Sequence, residues 1–325
     1  MISISRISIN GIRGLNVEDI GLKPITVIIG RNNSGKTSLL EALFLASITM
    51  SSYDDNMRNS LLNAMFNSRG DVISSIWTLI ENNAELTISL RVGESIKDFK
   101  CTFSRIEKGI RIELHEREMR ESNVITIKIE KAFLLQSQIP PAYPVMYPSY
   151  EYKVEYHRLL KPIFITSQFL MFELPERIVS YSEKFSEGKS KLELRLLIDE
   201  VSNTAKLHYD KKPIYVYGRG FVKKILIEEG LNFANPILID EIEDSLHPDL
   251  LAELFKAFND VDKQIIFTTH SNEVIKLLGK YVDPGKVGVV IMKDLKAVSY
   301  INREDVETFI STDDSLSWIK AIKVA

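Results

Sequence analysis

Apolar residues change their rhythm several times along the chain, and each change marks a predicted element. MISISRISIN alternates apolar and polar positions, the period of a half-buried strand, over residues 2–9. Residues 25–29 form an uninterrupted β-branched run, as expected of a strand buried on both faces of a parallel sheet. NGIRGLNVEDIGLKP reads as the connection between them. Leu39, Leu40, Leu43 and Phe44 then recur at helical spacing within residues 38–46. Over 50–84 the segments NSLLNAMF and VISSIWTLI predict further helix. From 85 to 131 alternation returns in ELTISLRV, FKCTFSRI, IRIELHER and VITIKIEK, which predicts an antiparallel meander.

Residues 136–152 hold four of the chain's eleven prolines and read as a surface loop. KPIFITS predicts a strand, and Leu192, Leu196, Leu197 and Val201 mark a helical face within 173–206. No a/d heptad pattern is sustained long enough for a coiled coil. Residues 213–235 lead into the strand PILIDE, a helix from 248 to about 258 and the strand QIIFTTH. NEVIKLL then predicts a short helix, VGVVIMKD and AVSYINRE a hairpin, and SWIKAIK a closing helix. The expected class is α/β: a mostly parallel core sheet, an antiparallel β sub-lobe and a helical lobe. One domain would fill 1–325, with 1–50 and 210–290 as the core, 85–131 as β sub-lobe and 132–209 as loop and helical lobe.

Charge and cysteine content narrow this little. Lys and Arg number 41 against 44 Asp and Glu, so overall charge gives no argument for nucleic acid. Lys97, Lys100, Arg105, Lys108 and Arg111 make a local basic face, but Glu107, Glu113, Glu116 and Glu118 interleave with it as on a solvated hairpin. A single cysteine, Cys101, excludes an intrachain disulfide and suits a reducing compartment. The N-terminus alternates like a strand and no apolar run approaches ~18 residues, so a soluble cytoplasmic protein without membrane contact is expected.

The chemistry lies in two stretches. GRNNSGKTS sits between the buried strand and the apolar helix with the GxxxxGK(S/T) spacing of a phosphate-binding loop. Backbone N–H groups of Gly30, Asn32, Asn33, Ser34, Gly35 and Ser38 would face the phosphates, Lys36 would reach the β and γ groups, and Thr37 would ligate magnesium. In NPILIDEIEDSLHPDL, four apolar residues run into Asp240 and Glu241, two carboxylates at the carboxyl end of a buried strand. The first acid suits magnesium and the second activation of water. His270 closes the next buried strand, where an imidazole can both donate and accept.

GRNNSGKTS, ILIDEIEDSLHP and IIFTTHS, in this order after SISRISINGIRGL, resemble an ABC-type ATPase head of the structural-maintenance-of-chromosomes (SMC), recombination-repair and overcoming-lysogenization-defect (OLD) proteins. The resemblance is strongest over 1–46 and 213–275. It implies ATP with magnesium, and no NKxD-like guanine motif speaks for GTP. It makes Gly30–Ser38 Walker A, Ile237–Glu241 Walker B, Asp244, Ser245 and His247 the D-loop, and His270 the switch histidine. Arg13 matches an arginine near the nucleotide, and Gln168, ahead of Gln136 and Gln138, the glutamine that joins Thr37 and Asp240 at the metal.

YGRGFVKKILI is the best match to the signature that caps the γ-phosphate of a second protomer, through Gly218, Arg219 and Gly220. The usual serine is absent, with Arg219 or Lys223 as substitute charge. The function so implied is Mg-ATP hydrolysis, with Glu241, His270 and Lys36 as catalytic residues, driving a homodimer switch that acts with a DNA-repair or defence partner. Residues 271–325 are too few for the nuclease domain of OLD proteins, so a nuclease or other effector would be a separate subunit. A transporter subunit fits the proline-containing middle and DEIEDSLHP poorly. The alternative is a nucleotide-gated DNA- or protein-binding module with little hydrolysis.

Overall fold

The computed structural model describes residues 2–69, 72–117, 121–132, 145–153, 159–166, 178, 194–199 and 204–312. Its core sheet has six strands, built around β3 (Ile25–Gly30), every residue of which is buried. β14 (Ile265–Thr269) and β15 (Val287–Lys293) flank β3 in parallel. β13 (Ile237–Ile239) and β9 (Ile163–Ile165) continue beyond β14, also in parallel. β16 (Lys296–Tyr300) closes the other edge as the antiparallel arm of the expected hairpin. The β-branched runs ITVII, ILI and IIFTT suit this setting, where neither face meets water. Because β3, β13 and β14 run parallel and side by side, the loops after all three leave at one edge.

A second sheet is antiparallel throughout and holds seven strands in the order β2, β1, β4, β5, β6, β7, β8. These are β1 (Ile2–Ile12), β2 (Asn16–Gly21), β4 (Ile80–Val92), β5 (Ser95–Ile106), β6 (Gly109–Glu116), β7 (Ser122–Ala132) and β8 (Val145–Lys153). The sheets are joined by the buried Gln264 amide, which accepts from the Ile4 N–H at 2.8 Å and donates to the Ile4 carbonyl at 2.6 Å. α1 (Lys36–Thr49) lies between them, touching β3, β9, β13 and β14 on one side and β1, β6 and β7 on the other. A helix so enclosed has no solvent face, which is why LLEALFLA carries almost no polar residue. The mixed α/β architecture and the mostly parallel core sheet are those expected.

The structure corrects several expectations. Part of the connection expected at 10–24 is strand, since β1 runs to Ile12 and β2 pairs with it through an irregular register between Ile7 and Ile9. NVEDI therefore lacks a period-two signal. The helix expected through Ile80 ends sooner: α2 (Asp55–Asn67) and α3 (Val72–Trp77) are followed directly by β4.

In the proline-rich stretch, β8 pairs with β7 although Pro148 lies opposite Ile129. Proline survives there because β8 is an edge strand, where one missing N–H need break no ladder. Tyr150 and Tyr152 donate to the side chains of Asn63 and Asn59 on α2, holding the edge strand in place. Residues 194–199 and 204–209, expected to be helical, are instead the antiparallel hairpin β10 (Leu194–Asp199) and β11 (Thr204–Tyr209), extended by β12 (Lys212–Pro213). LRLLID is too short a run for periodicity to separate helix from strand. Leu192, Val201 and the SWIKAIK helix lie outside the described residues. Further helices among the described residues are α4 (Arg219–Phe233), α5 (Pro248–Asp260), α6 (Asn272–Tyr281) and α7 (Arg303–Ser311).

Candidate functional site

At the end of β3 the chain turns through Arg31–Gly35 into α1. Gly35 stands at φ 99°, the left-handed region, and a Cβ there would come 2.8 Å from Leu15 Cδ2. The positive φ strains any other residue here, and a Cβ would also make Leu15 shift. Because glycine is also the residue before the helix, no side chain caps α1, and its first N–H groups face an open cavity. That cavity, of about 490 Å³, is lined among others by Asn32, Asn33, Lys36, Thr37 and Ser38.

Lys36 is only 8% exposed. Its Nζ folds back over the loop and donates to the carbonyls of Gly30 at 3.0 Å and Arg31 at 3.1 Å. Burial lowers its pKa, opposed by the charges of Asp240, Glu241 and Glu243. The ammonium thus lies over the phosphate loop with three carboxylates nearby.

Asp240, one residue past β13, anchors the second half of the site. Thr37 Oγ1 lies 3.1 and 3.0 Å from its two oxygens, and Thr268 Oγ1 donates at 2.7 Å. The Thr268 hydroxyl in turn accepts the Glu241 N–H at 2.7 Å. Burial raises the Asp240 pKa, while the Thr268 and Thr37 hydrogen bonds and Arg69 pull it back. Glu241 itself has φ 45°, a conformation uncommon outside glycine, and its side chain lines both the P-loop cavity and a neighbouring cavity of about 240 Å³. A hydroxyl and a carboxylate converging on one space are hard oxygen donors, suited to a cation that keeps several waters and shares phosphate oxygens. Among the described residues no group of three or more His, Cys, Asp and Glu forms a self-sufficient metal cage.

A buried charge cluster borders the same space. Glu41 on α1 has no exposed surface and accepts from Arg13 Nε at 2.5 Å and Arg69 Nε at 2.8 Å. Arg13 also donates to Thr78 Oγ1 and Ser75 Oγ, both at 2.9 Å, and Arg69 Nη2 to Ser38 Oγ at 3.3 Å. Two guanidinium groups share one carboxylate, leaving one net positive charge beside the P-loop. Burial lowers the Arg13 pKa; for Arg69 burial is outweighed by the hydrogen bond and charge of Glu41, and the pKa rises. Arg69 lines both cavities and had no role in the sequence reading. Its trace is Glu41, an acid inside an otherwise apolar helix, which must find cationic partners.

The other expected residues are distributed unevenly. Asp244 lines the smaller cavity, its N–H donating to the Glu241 carbonyl at 2.9 Å. Ser245 follows at φ 65°, and His247 Nδ1 accepts the Asp249 N–H at 3.4 Å as the cap of α5. His270 is not among the lining residues of either cavity: it is 55% exposed, and its Nδ1 and backbone N lie 3.2 and 2.9 Å from Glu243 Oε1. Gln168 lies outside the described residues.

Gly218 and Arg219 are exposed at the uncapped start of α4. Gly220 instead faces its own chain, where a Cβ would come 1.9 Å from the Ser245 carbonyl oxygen. Lys223 has no exposed surface, and its Nζ donates to the carbonyls of Glu241 at 2.6 Å and Asp244 at 3.2 Å. Its charge does not reach outward, which corrects its candidacy as substitute for the missing serine.

Strand, glycine-containing loop, enclosed helix and paired acids at the end of a parallel strand are the arrangement of a P-loop nucleotide-binding fold. The AAA domain family matches residues 6–265, and the chain belongs to that family. It is 35% identical over 88 residues to the DNA replication and repair protein RecF of Francisella tularensis subsp. mediasiatica, a match spanning 27% of this chain and 24% of that protein. In fold it is similar to the SmcHead bound to the C-winged helix domain of ScpA (TM-score 0.53, 14% identity, 93% of this chain and 99% of that one). It is equally similar to the Smc head domain with an extended coiled coil bound to the C-terminal domain of ScpA, from Pyrococcus furiosus (TM-score 0.52, 12% identity, 95% and 99%). By family the chain is an AAA domain, and its fold is that of Smc head domains. No helix among the described residues is long and apolar enough to cross a membrane.

Proposed function

We propose that the chain is a magnesium-dependent ATP switch whose heads pair on ATP and separate on hydrolysis. The observation that carries this reading is the contact of Thr37 Oγ1 with both Asp240 oxygens, 3.1 and 3.0 Å away, beside the uncapped start of α1. There the α1 N–H groups and Lys36 receive the β and γ phosphates, while Thr37 and Asp240 hold magnesium. Bound there, the cation neutralises charge on the phosphate oxygens. Glu241, which lines both cavities, takes the proton of the attacking water. Arg69, on the Asp240 side, and Arg13 supply positive charge toward the phosphates. Hydrolysis of this kind rests on positioning and charge, with no covalent intermediate.

Pairing of heads is supported by Gly218 and Arg219, exposed residues at the start of a 15-residue helix without a side-chain cap. Val216 beside them is 64% exposed, an apolar surface that a second copy would cover. His270 would join the site by leaving Glu243. The match to a DNA replication and repair protein supports a repair or defence partner, with any nuclease or effector as a separate subunit. ATP can drive closure only by binding the paired state more tightly than the open one.

The test is size by light scattering with and without magnesium-ATP, for wild type and Glu241→Gln, beside phosphate release. A dimeric, inert mutant and a wild type that turns over slowly are expected. Nucleotide binding with both proteins monomeric and inert would overturn the switch.

A further inference from the structure

In the core sheet Ile239 is in register with Ile165 of β9 on one side and Phe267 of β14 on the other. One residue on, Asp240 is flanked by Thr166 and Thr268, and in parallel strands such neighbours leave the sheet on the same side. The two threonines have different fates. Thr268 donates its one proton to Asp240 Oδ1 at 2.7 Å and accepts the Glu241 N–H. Thr166 is 6% exposed, and its Oγ1 has no hydrogen-bond partner among the described residues.

A buried hydroxyl without a partner loses its hydration with nothing in return and calls for a reason, such as a water or ion absent from the bare protein. Thr166 lines the cavity of about 240 Å³ shared with Thr37, Arg69, Asp240, Glu241 and Asp244. A valine would fill the same volume between Ile165 and the cavity wall at no such cost, so packing alone gives no reason for the hydroxyl.

We infer that Thr166 is a positioning residue for the divalent cation, its hydroxyl holding a water of the cation's shell on the β9 side of Asp240. A hydroxyl is suited to this because it can accept from that water, whereas Asp240 already meets Thr37 and Thr268 and Thr166 Oγ1 is left unused by the protein itself. The shell is thereby fixed from two neighbouring strands. The inference rests on the reading of Asp240 and Thr37 as the magnesium residues. Outer partners of this kind change metal affinity by roughly 10–100-fold when removed.

The test compares wild type, Thr166→Val, Thr166→Ser and Asp240→Asn, using a fluorescent ATP analogue. Its Kd is measured in EDTA and across a magnesium titration. For Thr166→Val we expect an unchanged Kd in EDTA, a magnesium midpoint raised about tenfold, and a nucleotide-free melting temperature equal to or above wild type. Thr166→Ser should restore the midpoint. A midpoint like that of wild type, an equal loss in EDTA, or a lowered nucleotide-free melting temperature would each overturn the role. If Asp240→Asn also leaves the midpoint unchanged, the magnesium reading itself falls and Thr166 with it; if only Thr166→Val does, the inference alone fails.

Discussion

The ammonium of Lys223, wholly enclosed by protein, donates to the backbone carbonyl of Glu241 at 2.6 Å. A second bond reaches the Asp244 carbonyl at 3.2 Å, so one cation on α4 spans the turn that carries both residues. Glu241 is held there at φ 45°, a conformation that surrounding structure must impose. Replacing Lys223 with methionine keeps most of the volume and removes both donors. Affinity for ATP should stay within about twofold, since the P-loop is untouched, while phosphate release falls at least tenfold, on the order of 1.4 kcal/mol in the barrier. Nucleotide titration beside steady-state phosphate release checks this; equal losses in both would show that Lys223 supports the fold in general.

The same burial gives Lys223 a pH signature. Desolvation lowers its pKa from the ordinary 10.5 to about 8, against the pull of Asp244, Glu243, Asp240 and Glu241. The unfolded chain therefore holds this proton more tightly than the folded one, and between about pH 8 and 10 it carries the larger number of protons. Stability rises with pH wherever the unfolded state binds more protons. Wild type should gain stability relative to Lys223→Met across that window and show a constant difference below pH 8. Urea midpoints of both proteins from pH 6.5 to 10 measure it.

Glu41 holds two arginines, and its removal should be felt first in stability. Glu41→Gln leaves Arg13 and Arg69 facing each other in a buried site, and breaking such a pair costs about 3–5 kcal/mol. Arg69→Ala leaves Glu41 with Arg13 and should be milder in stability, yet it removes the guanidinium from both cavities. A fall of roughly a hundredfold in kcat/KM is expected, the scale of losing one aimed donor at developing charge. Chemical denaturation and kinetics of the two variants separate these roles, and an Arg69→Ala enzyme with wild-type kinetics would remove Arg69 from the reaction.

What could be read in advance followed from spacing. A phosphate loop puts its glycines, lysine and threonine in one unbroken stretch, and buried parallel strands announce themselves as β-branched runs, so β3, β13, β14 and the acids after them were legible. Arg69 and Thr166 were not, because their roles depend on which strand lies beside Asp240 and which helix end reaches Glu41. Such contacts join residues far apart in the chain, 28 apart for Arg69 and Glu41, and leave no period. The hairpin at 194–209 was misread for a different reason: six apolar-rich residues fit either period. Gly220 looked like a residue kept small for a phosphate, whereas the nearest atom is the Ser245 carbonyl oxygen of its own chain.

That last contact decides how head pairing should be probed. A bulky residue at 220 would push into Ser245 and disturb the turn bearing Asp244 and Glu241 within one molecule, so both ATP binding and hydrolysis would suffer before any partner is met. Arg219 is exposed and one residue nearer the helix start. Arg219→Glu keeps the backbone while placing a negative charge where a second copy's phosphate would arrive, opposing the helix dipole's attraction for anions. Combined with Glu241→Gln to trap the ATP state, it should abolish the magnesium-ATP dimer in light scattering, with the nucleotide Kd of the monomer unchanged. A dimer that persists at the same protein concentration would mean that heads meet through another surface.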